Sequence, residues 1–335
     1  MSGAADAIAE SRAHCRRVAR RAGSSFYPCF ALLNSPKREA MEALYAFLRR
    51  TDDIADGPEP LDQRRAALSQ WRDEVTAGIR DQGSGIRGQG SGEEQKSESG
   101  NRKAEGGPCP PLSAFPSLRA SLLASRPSPL IPALADAVQR FRIPPEHLLA
   151  VLDGVAMDLD GRRYETFDEL AHYCHKVASA VGLACIHIWG FCGEAAFEPA
   201  RQCGLAFQLT NILRDLKEDL SRGRVYLPLS ELRECGYSTE ELLRGPADQR
   251  FDRLMALQID RARRLYREGA ELYGFLEGDG HRVFGMMTAT YHALLQKIAS
   301  RPRHVLTGRV RLGRWQKLRI AARWRLLPPR RSSLP

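Results

Sequence analysis

The sequence predicts an all-α protein, for three reasons. Apolar residues recur at helical spacing along most of the 335-residue chain. No set of alternating β-branched runs indicates a sheet. The composition, 43% hydrophobic and 27% charged, supplies enough apolar material for a buried core. We therefore expect a single helical domain over residues 1–300, interrupted at about 79–111 and followed by a basic tail at 301–335.

The first clear helical segment is Arg38–Arg50. Its apolar residues, among them Leu44 and Phe47, fall on one face, and Ser35–Pro36 marks its start. The same periodicity predicts further helices, which are Leu61–Ile79, Ser128–Phe141, Pro145–Leu159, Phe167–Trp189, Pro199–Asp219, Ser238–Leu243, Arg250–Tyr273 and Val283–Ser300.

The helical pattern is interrupted between Gly78 and Pro111. A heptad beginning at Ile79 is nearly repeated from Ile86, and a segment rich in Glu, Lys, Ser and Gly follows. Such a composition cannot bury enough apolar surface to become ordered by itself. We therefore expect a flexible surface insertion at about 79–111 without a catalytic role, and a linker that binds a partner is the alternative.

The cysteines and the apolar runs bear on cellular location. Eight cysteines form no CxxC pair and no regular framework, which is typical of buried free thiols in a reducing cytoplasm. No apolar run is long enough to span a bilayer, and the N-terminus lacks the apolar region of a secretory signal. We therefore expect a cytoplasmic protein.

The net charge of +10 comes from the C-terminal tail. From Arg301 onward the chain has ten Arg, one Lys and no acidic residue, a charge of +11, so the remainder carries about −1. This distribution does not indicate nucleic-acid binding by the helical domain. Instead, the tail mixes Arg with Trp and Leu, and most of its apolar residues are expected on one side of a helix, although Arg319 and Trp324 break this pattern. Such segments favour peripheral contact with the inner face of a membrane, and a solvated or disordered terminus is the alternative.

Two acidic runs are the strongest functional signal in the sequence. Asp52 and Asp56 stand four residues apart, as do Asp215 and Asp219. On a helix this spacing stacks carboxylates on one face, where like charges repel. A single DxxxD is usually a solvated surface pattern, but two such runs that face each other would form a site for hard divalent cations.

The residues around both runs fit a diphosphate as well as a metal. Tyr45 and Arg49 precede the first run at helical spacing, and Gln208 and Asn211 precede the second. Three arginines flank the second run, which are Arg214, Arg222 and Arg224. Carboxylates bind Mg²⁺, Mg²⁺ bridges phosphate oxygens, and guanidinium groups bind the remaining oxygens.

These motifs resemble the squalene/phytoene synthase family. The resemblance extends in order from about residue 10 to 300 and rests on Ser24–Phe26, Ala43–Asp56, Met157–Leu159, Arg163–Tyr164, Tyr173–Gly182, Gln208–Asp219 and Gly223–Pro228. It implies a single isoprenoid-synthase-type helical domain around a central cavity, which joins two prenyl diphosphates head to head in isoprenoid biosynthesis.

The resemblance also implies roles for individual residues. The implied metal ligands are Asp52 and Asp56 at one rim and Asn211, Asp215 and Asp219 at the other, with Asp53 as the additional aspartate that the family often has. The implied catalytic residues are Tyr173, which faces the carbocation, and Arg49, Arg214 and Arg224, which hold the diphosphate. The implied substrate-binding residues are Ser24, Ser25, Phe26, Tyr45, Val177, Val181, Gln208, Tyr226 and Tyr291. Without the resemblance, Val177 and Val181 would be interpreted as core packing.

The resemblance leaves the substrate open. Ala22 and Gly23 replace the basic or His-containing residues that the family often has before Phe26, and Ser-Ser-Phe-Tyr resembles bacterial presqualene diphosphate synthases of hopanoid pathways. Two farnesyl diphosphates (C15) are therefore the first expectation, with about two or three Mg²⁺ ions as cofactor. NADPH is expected only if the reaction continues to squalene. The alternatives are a carotenoid-type phytoene synthase that uses two geranylgeranyl diphosphates (C20), a terpene cyclase or hydrolase, and an inactive assembly partner.

Overall fold

The computed structural model describes residues 2–22, 26–84, 128–244, 248–327, 329–331 and 334. These residues are predominantly helical, and among them the only β pairing is an isolated bridge between Phe191 and Leu276. The all-α prediction is therefore confirmed.

The helices are numbered here in chain order. They are α1 Ser2–Arg21, α2 Tyr27–Phe30, α3 Ser35–Ala55, α4 Leu61–Ser84, α5 Ile131–Arg140, α6 Pro145–Leu159, α7 Phe167–Cys174, α8 Ala180–Trp189, α9 Phe197–Ser221, α10 Leu229–Glu234, α11 Thr239–Arg244, α12 Gln249–Ala270, α13 Gly280–Ser300 and α14 Arg314–Leu326. A π-helical turn, His175–Ser179, joins α7 to α8. Three short 3₁₀ segments complete the described helices, and they are Glu194–Ala196, Glu271–Phe275 and Pro302–Leu306.

Most predicted helices are present with shifted ends. Helix α3 continues to Ala55, so the first acidic run lies at its C-terminus. Helix α4 continues to Ser84, so the beginning of the segment predicted as a flexible insertion is helical. Residues 85–111 of that segment lie outside the described residues. Helices α1 and α10, which the periodicity did not predict, are also present.

The buried side chains form two hydrophobic clusters. One surrounds Phe47 and Leu152 on α3 and α6, and the other surrounds Leu213 and Leu254 on α9 and α12. Phe26 and Phe207 are partly buried against both clusters. Helix α3 therefore lies on the first cluster, whereas α9 contributes Ala200 and Cys203 to the first cluster and its C-terminal half, which carries the acidic run, to the second.

Helix α9 packs unusually close to its neighbours. A Cβ atom added to Gly204 would lie 2.6 Å from Cα of Ser179, in the π turn. On α12, a Cβ at Gly269 would lie 2.8 Å from Cα of Cys203. Both distances are shorter than side chains tolerate, so these glycines let α9 approach backbone on two sides.

The seven described cysteines are all free thiols, as expected. Five are buried, but Cys235 is half-buried and Cys192 is exposed. None of the helices in the described part of the chain is long and apolar enough to cross a membrane.

Candidate active site

The C-terminal ends of α3 and α9 are linked by arginine side chains. Asp56, the C-cap residue of α3, accepts a hydrogen bond from Nη1 of Arg222 at 3.2 Å and another from Nη2 of Arg224 at 3.1 Å. Both arginines directly follow α9. The two acidic runs, which lie about 160 residues apart in sequence, are therefore joined through these arginines.

A glycine turn directs Arg224 towards Asp56. Gly223 has a φ of +72°, in the left-handed region that favours glycine. The backbone then turns back, and the Arg224 N–H donates to the carbonyl of Asp219 at 2.9 Å. The Gly-Arg pair thus ends α9 and positions a guanidinium opposite α3.

Both acidic runs occupy positions where a helix disfavours negative charge. Asp52 and Asp56 lie at the end of α3, Asp215 and Asp219 lie near the end of α9, and neither helix has a basic residue in its last turn. The helix dipole is negative at this end, so it adds to the repulsion between the carboxylates. Cations bound between the two helix ends would offset this repulsion.

The repulsion appears in the pKa values of two carboxyl groups. Desolvation and the neighbouring Asp56 raise the pKa of Asp52 to about 7. Desolvation and Asp215 raise the pKa of Asp219 to about 7 as well, although Arg224 opposes this shift. The Asp52 side chain is nevertheless accessible to solvent. Accessibility combined with desolvation is expected for a carboxylate on the wall of a recess, and we interpret Asp52 in this way.

Asp215 lies between two guanidinium groups. Arg214 binds it through both oxygens, with Nε 2.8 Å from Oδ1. Arg309, from the basic tail, places its Nε 2.9 Å from the same Oδ1 and its Nη2 3.4 Å from Oδ2. The tail therefore contributes a cation to the second acidic run, which the sequence did not predict.

Asn211 presents an acceptor without a donor. Its Nδ2 donates to Oε1 of Gln208 at 3.3 Å, but its Oδ1 is buried and accepts no hydrogen bond from the described residues. Leaving such an oxygen unsatisfied is costly, and the carboxylates of α9 are its neighbours along the same helix face. An oxygen of this kind, next to repelling carboxylates, fits a bound Mg²⁺ ion.

The carboxylates are not assembled into a metal centre by themselves. In the described residues, no group of three or more His, Cys, Asp or Glu side chains is close enough to hold a metal ion. Instead, arginines contact Asp56 and Asp215, and Arg49 pairs with Asp53 at 2.6 Å. The Asp53 carboxylate thus supports Arg49.

Aromatic rings pack beside Asn211 and Arg214. The ring of Phe26 stacks on Tyr291 with centroids 4.9 Å apart, and Phe207 contacts Tyr291 at 4.6 Å. Burial raises the pKa of Tyr291, and its polar neighbours Asn211 and Arg214 lower it less strongly. Phe26 therefore lies beside the second acidic run, and the preceding Ser24 and Ser25 lie outside the described residues.

A second polar cluster centres on Asp158 at the end of α6. The hydroxyl of Tyr173 donates to its Oδ2 at 2.8 Å, and the hydroxyl of Tyr226 donates to its Oδ1 at 2.9 Å. The rings of Tyr164, Tyr173 and Tyr226 pack together, with Tyr173 and Tyr226 5.4 Å apart. Desolvation raises the pKa of Asp158 to about 6, against these hydrogen bonds and Arg224. The two predicted tyrosines are thus held by one carboxylate.

The remaining predicted cavity residues are partly buried. Val177 lies in the π turn against α6, where a Cβ at Gly154 would lie 2.4 Å from its Cγ1. Val181 packs against the first hydrophobic cluster, and Tyr45 contacts the ring of Phe30 at 6.2 Å between centroids. Tyr45 and Val181 thus lie around the first cluster and Val177 lies against the second, whereas Gln208 and Tyr291 lie near the second acidic run.

Sequence reasoning missed three polar residues of this site. Asp158 lies in a quoted motif, but nothing local shows that it binds tyrosines 15 and 68 positions away. Arg222 stood out only as a flanking charge, and Arg309 was counted with the tail.

A family model described as "Squalene/phytoene synthase" matches residues 19–316. The chain is 29% identical to a phytoene synthase of Arthrospira platensis over 318 residues, which covers 91% of this chain and 89% of that protein. It is 30% identical to the chloroplastic phytoene synthase 2 of Solanum lycopersicum over 337 residues, covering 98% and 95% of the two chains.

Solved structures share the fold at lower identity. A dehydrosqualene synthase crystallised with a ligand superimposes with a TM-score of 0.71 at 22% identity, covering 95% of this chain and 96% of that one. A squalene synthase from Alicyclobacillus acidocaldarius gives 0.70 at 22% identity, covering 89% and 95%. The isoprenoid-synthase-type helical fold that the motifs implied is therefore confirmed.

Proposed function

The chain belongs to the squalene/phytoene synthase family and is a prenyltransferase, and we propose that it condenses two farnesyl diphosphates head to head to presqualene diphosphate. The observation that carries this proposal is the contact of Arg222 and Arg224 with Asp56. This contact supports the proposal that the ends of α3 and α9 form two walls of one cation and diphosphate site.

The residues fit Mg²⁺ as the cofactor. Asp52, Asp56 and Asp53 on α3, with Asn211, Asp215 and Asp219 on α9, supply the oxygen ligands that this ion prefers. When bound, Mg²⁺ supplies positive charge to the leaving diphosphate. The unsatisfied Oδ1 of Asn211 and the raised pKa values of Asp52 and Asp219 support this assignment.

The arginines hold the diphosphate groups in this proposal. Arg49, Arg214, Arg224 and Arg309 exchange their carboxylate partners for phosphate oxygens, which guanidinium groups bind in the same fork geometry. The C1–O bond of the first substrate breaks, and pyrophosphate leaves with the electron pair. Positive charge preorganised around the leaving group stabilises this step.

The aromatic residues act on the cation that remains. The double bond of the second substrate attacks C1, and loss of a proton closes a cyclopropane ring. Stacked tyrosine rings offer negative π faces to the cation, and Tyr173 is held for this role by Asp158. Apolar walls that include Val177, Val181 and Phe26 keep water from the cation.

A phytoene synthase that uses geranylgeranyl diphosphate is the second candidate. The relatives at 29–30% identity are named phytoene synthases, which favours C20 substrates. The Ser-Ser-Phe-Tyr motif favours C15. NADPH would be needed only if the product is reduced to squalene. We also propose that catalysis takes place at a membrane surface, because substrates and product carry long apolar chains.

The test is to incubate the pure protein with Mg²⁺ and either the C15 or the C20 diphosphate, with and without NADPH, and to identify the products by mass spectrometry. We expect presqualene diphosphate from C15 without NADPH. Asp215→Ala should abolish turnover, whereas Asp260→Ala, which removes an exposed carboxylate on α12, should not. Product from C20 alone would replace the first candidate by the second. If neither substrate is condensed, the result would support the alternative that the chain is an inactive family member.

A further inference from the structure

Helix α14 carries apolar side chains on two opposite faces. Trp324 is fully buried on α13, so closely that a Cβ at Gly285 would lie 2.1 Å from its ring. Trp315 stands nine positions earlier, which is about 180° away around a helix, and its side chain is 84% exposed. One face is therefore used for docking, and the other faces solvent.

The docked position of α14 is fixed by a cap. Arg282 on α13 donates from Nη1 to the carbonyl of Trp324 at 2.7 Å, and to those of Arg325 and Leu327 at 3.1 Å each. These bonds satisfy carbonyls at the end of α14 that the helix itself leaves unpaired. Helix α14 is thus held on α13, and its outer face has a defined orientation.

The outer face is an apolar stripe. Trp315, Leu318, Ala322 and Leu326 fall within about 80° of one another around the helix, and all four are exposed. Leu318 and Leu326 are 59% and 74% exposed. Most of the exposed large apolar side chains in the described residues lie on this helix and the residue after it. Single exposed leucines need no explanation, but a concentrated stripe indicates an interaction surface.

Basic residues line both edges of this stripe. Arg319 lies on one side, Arg314 and Arg325 lie on the other, and all three are exposed. The chain has no acidic residue after Arg301 that would neutralise them. An apolar stripe between cationic edges matches the boundary between the acyl chains and the headgroups of an anionic bilayer.

We propose that the outer face of α14 binds an anionic membrane surface in the plane of the interface, with Trp315, Leu318 and Leu326 inserted. This names the surface that makes the membrane contact of the proposed function. A second copy of the chain fits this surface less well. Stable interfaces bury roughly 1,200–2,000 Å², which is much more than one short stripe offers. The basic edges of two copies would also repel each other.

The tryptophans provide a direct readout. Trp71, Trp189 and Trp324 are buried, so Trp315 dominates any change in accessible fluorescence. On adding vesicles rich in phosphatidylglycerol to the full chain, we expect a blue shift and loss of acrylamide quenching. Phosphatidylcholine vesicles, or high salt, should reduce both effects. Trp315→Phe should abolish the fluorescence shift but retain flotation with the anionic vesicles.

Variants separate the apolar from the electrostatic part of binding. Trp315→Ser with Leu318→Ser should lower the fraction that floats with anionic vesicles at least about tenfold. Arg314→Gln with Arg319→Gln should lower the partition coefficient roughly fivefold for each charge removed. The matched controls, Leu243→Ser and Arg264→Gln, change exposed residues of other helices and should bind as the wild type does.

Turnover in detergent distinguishes the membrane surface from the reaction. All of these variants should keep wild-type turnover of the soluble diphosphate substrate, so loss of flotation with intact turnover supports the surface. Wild-type protein that does not float with anionic vesicles would overturn the proposal. So would a Trp315→Ser/Leu318→Ser variant that floats unchanged, or one that instead dissociates a dimer in light scattering. Flotation without any condensation would overturn the proposed reaction alone.

Discussion

Asp158 accepts hydrogen bonds from two tyrosine hydroxyls, and this fixes the direction in which each phenol points. Tyr173 is 3% exposed, and burial together with the Asp158 charge raises its pKa well above the usual range for tyrosine. It therefore stays protonated and donates to Asp158 at all ordinary pH values. The ring and the free lone pairs of its oxygen are the parts left to interact with substrate.

We expect Asp158→Asn to lower kcat roughly tenfold to a hundredfold, the range for a displaced catalytic group. The two hydroxyls donate to different oxygens of Asp158, and in the amide one of these oxygens becomes an NH₂ donor, so one hydroxyl loses its acceptor. The matched control is Asp160→Asn. Asp160 lies two positions after Asp158, is exposed and pairs with Arg65. Steady-state kinetics test the effect, and an unchanged kcat with a lowered melting temperature would assign Asp158 to stability alone.

The pKa values of Asp52 and Asp219 predict how metal binding depends on pH. Both are raised to about 7, so each carboxyl must lose a proton before it binds Mg²⁺. Calorimetric Mg²⁺ affinity should rise by up to about tenfold per pH unit for each proton released, and level off above pH 7. Equal affinity at pH 5.5 and pH 8.5 would contradict these assignments.

The same pKa shifts predict how the stability of the metal-free protein changes with pH. Because folding raises the pKa of Asp52 and Asp219, ionisation of these groups destabilises the folded state. This destabilisation is absent below about pH 4, the pKa of aspartate in an unfolded chain, increases up to pH 7 and is complete above it. The melting temperature of the metal-free protein should therefore fall over this range through these groups, and Asp52→Asn should lessen the fall.

Among the elements, the π turn between α7 and α8 is the one that most directly positions predicted cavity residues. It follows Tyr173, includes Val177, and packs against Gly204 on α9. π turns of this kind occur often at functional sites, because they shift the residues that follow around the helix. Sequence periodicity predicts one helix over Phe167–Trp189, since apolar residues continue through the turn.

We expect Gly204→Ala to destabilise the fold by about 1–3 kcal/mol and to lower turnover. The new Cβ would meet the backbone of Ser179 at 2.6 Å, which outweighs the better helix propensity of alanine, worth about 1 kcal/mol. Gly274→Ala is the control, because no atom beyond its two chain neighbours lies within 4 Å of its added Cβ. Chemical denaturation measures the free energy of unfolding of both variants. If Gly204→Ala leaves this free energy unchanged, the π turn can shift away from the new Cβ at little cost.

At the scale of the whole molecule, the candidate site depends on contacts between distant segments. The identity of the acidic residues was predictable, because carboxylates four residues apart on a helix repel and need a cation. Their convergence was not predictable from spacing, since it depends on the turn at Gly223 that brings Arg224 to Asp56.

The tail shows the same limit. Its charge was evident in the sequence, but Arg309 contacts Asp215 only because the segment after α13 returns to α9. Most of its apolar residues were expected on one helix face with Trp324 as an exception, and Trp324 is buried whereas Trp315 is exposed. Packing against Gly285 decides which tryptophan is buried, and no pattern within the tail contains that information.

The proposed reaction requires that α3 and α9 form a single cation and diphosphate site. Calorimetric titration of inorganic pyrophosphate in the presence of Mg²⁺, on Asp52→Ala, Asp215→Ala and the double variant, tests it most directly. We predict that each single change lowers affinity at least about a hundredfold, that the double change adds little, and that Asp260→Ala binds as the wild type does. Losses that simply add, or a single variant that retains wild-type affinity, would contradict a shared site.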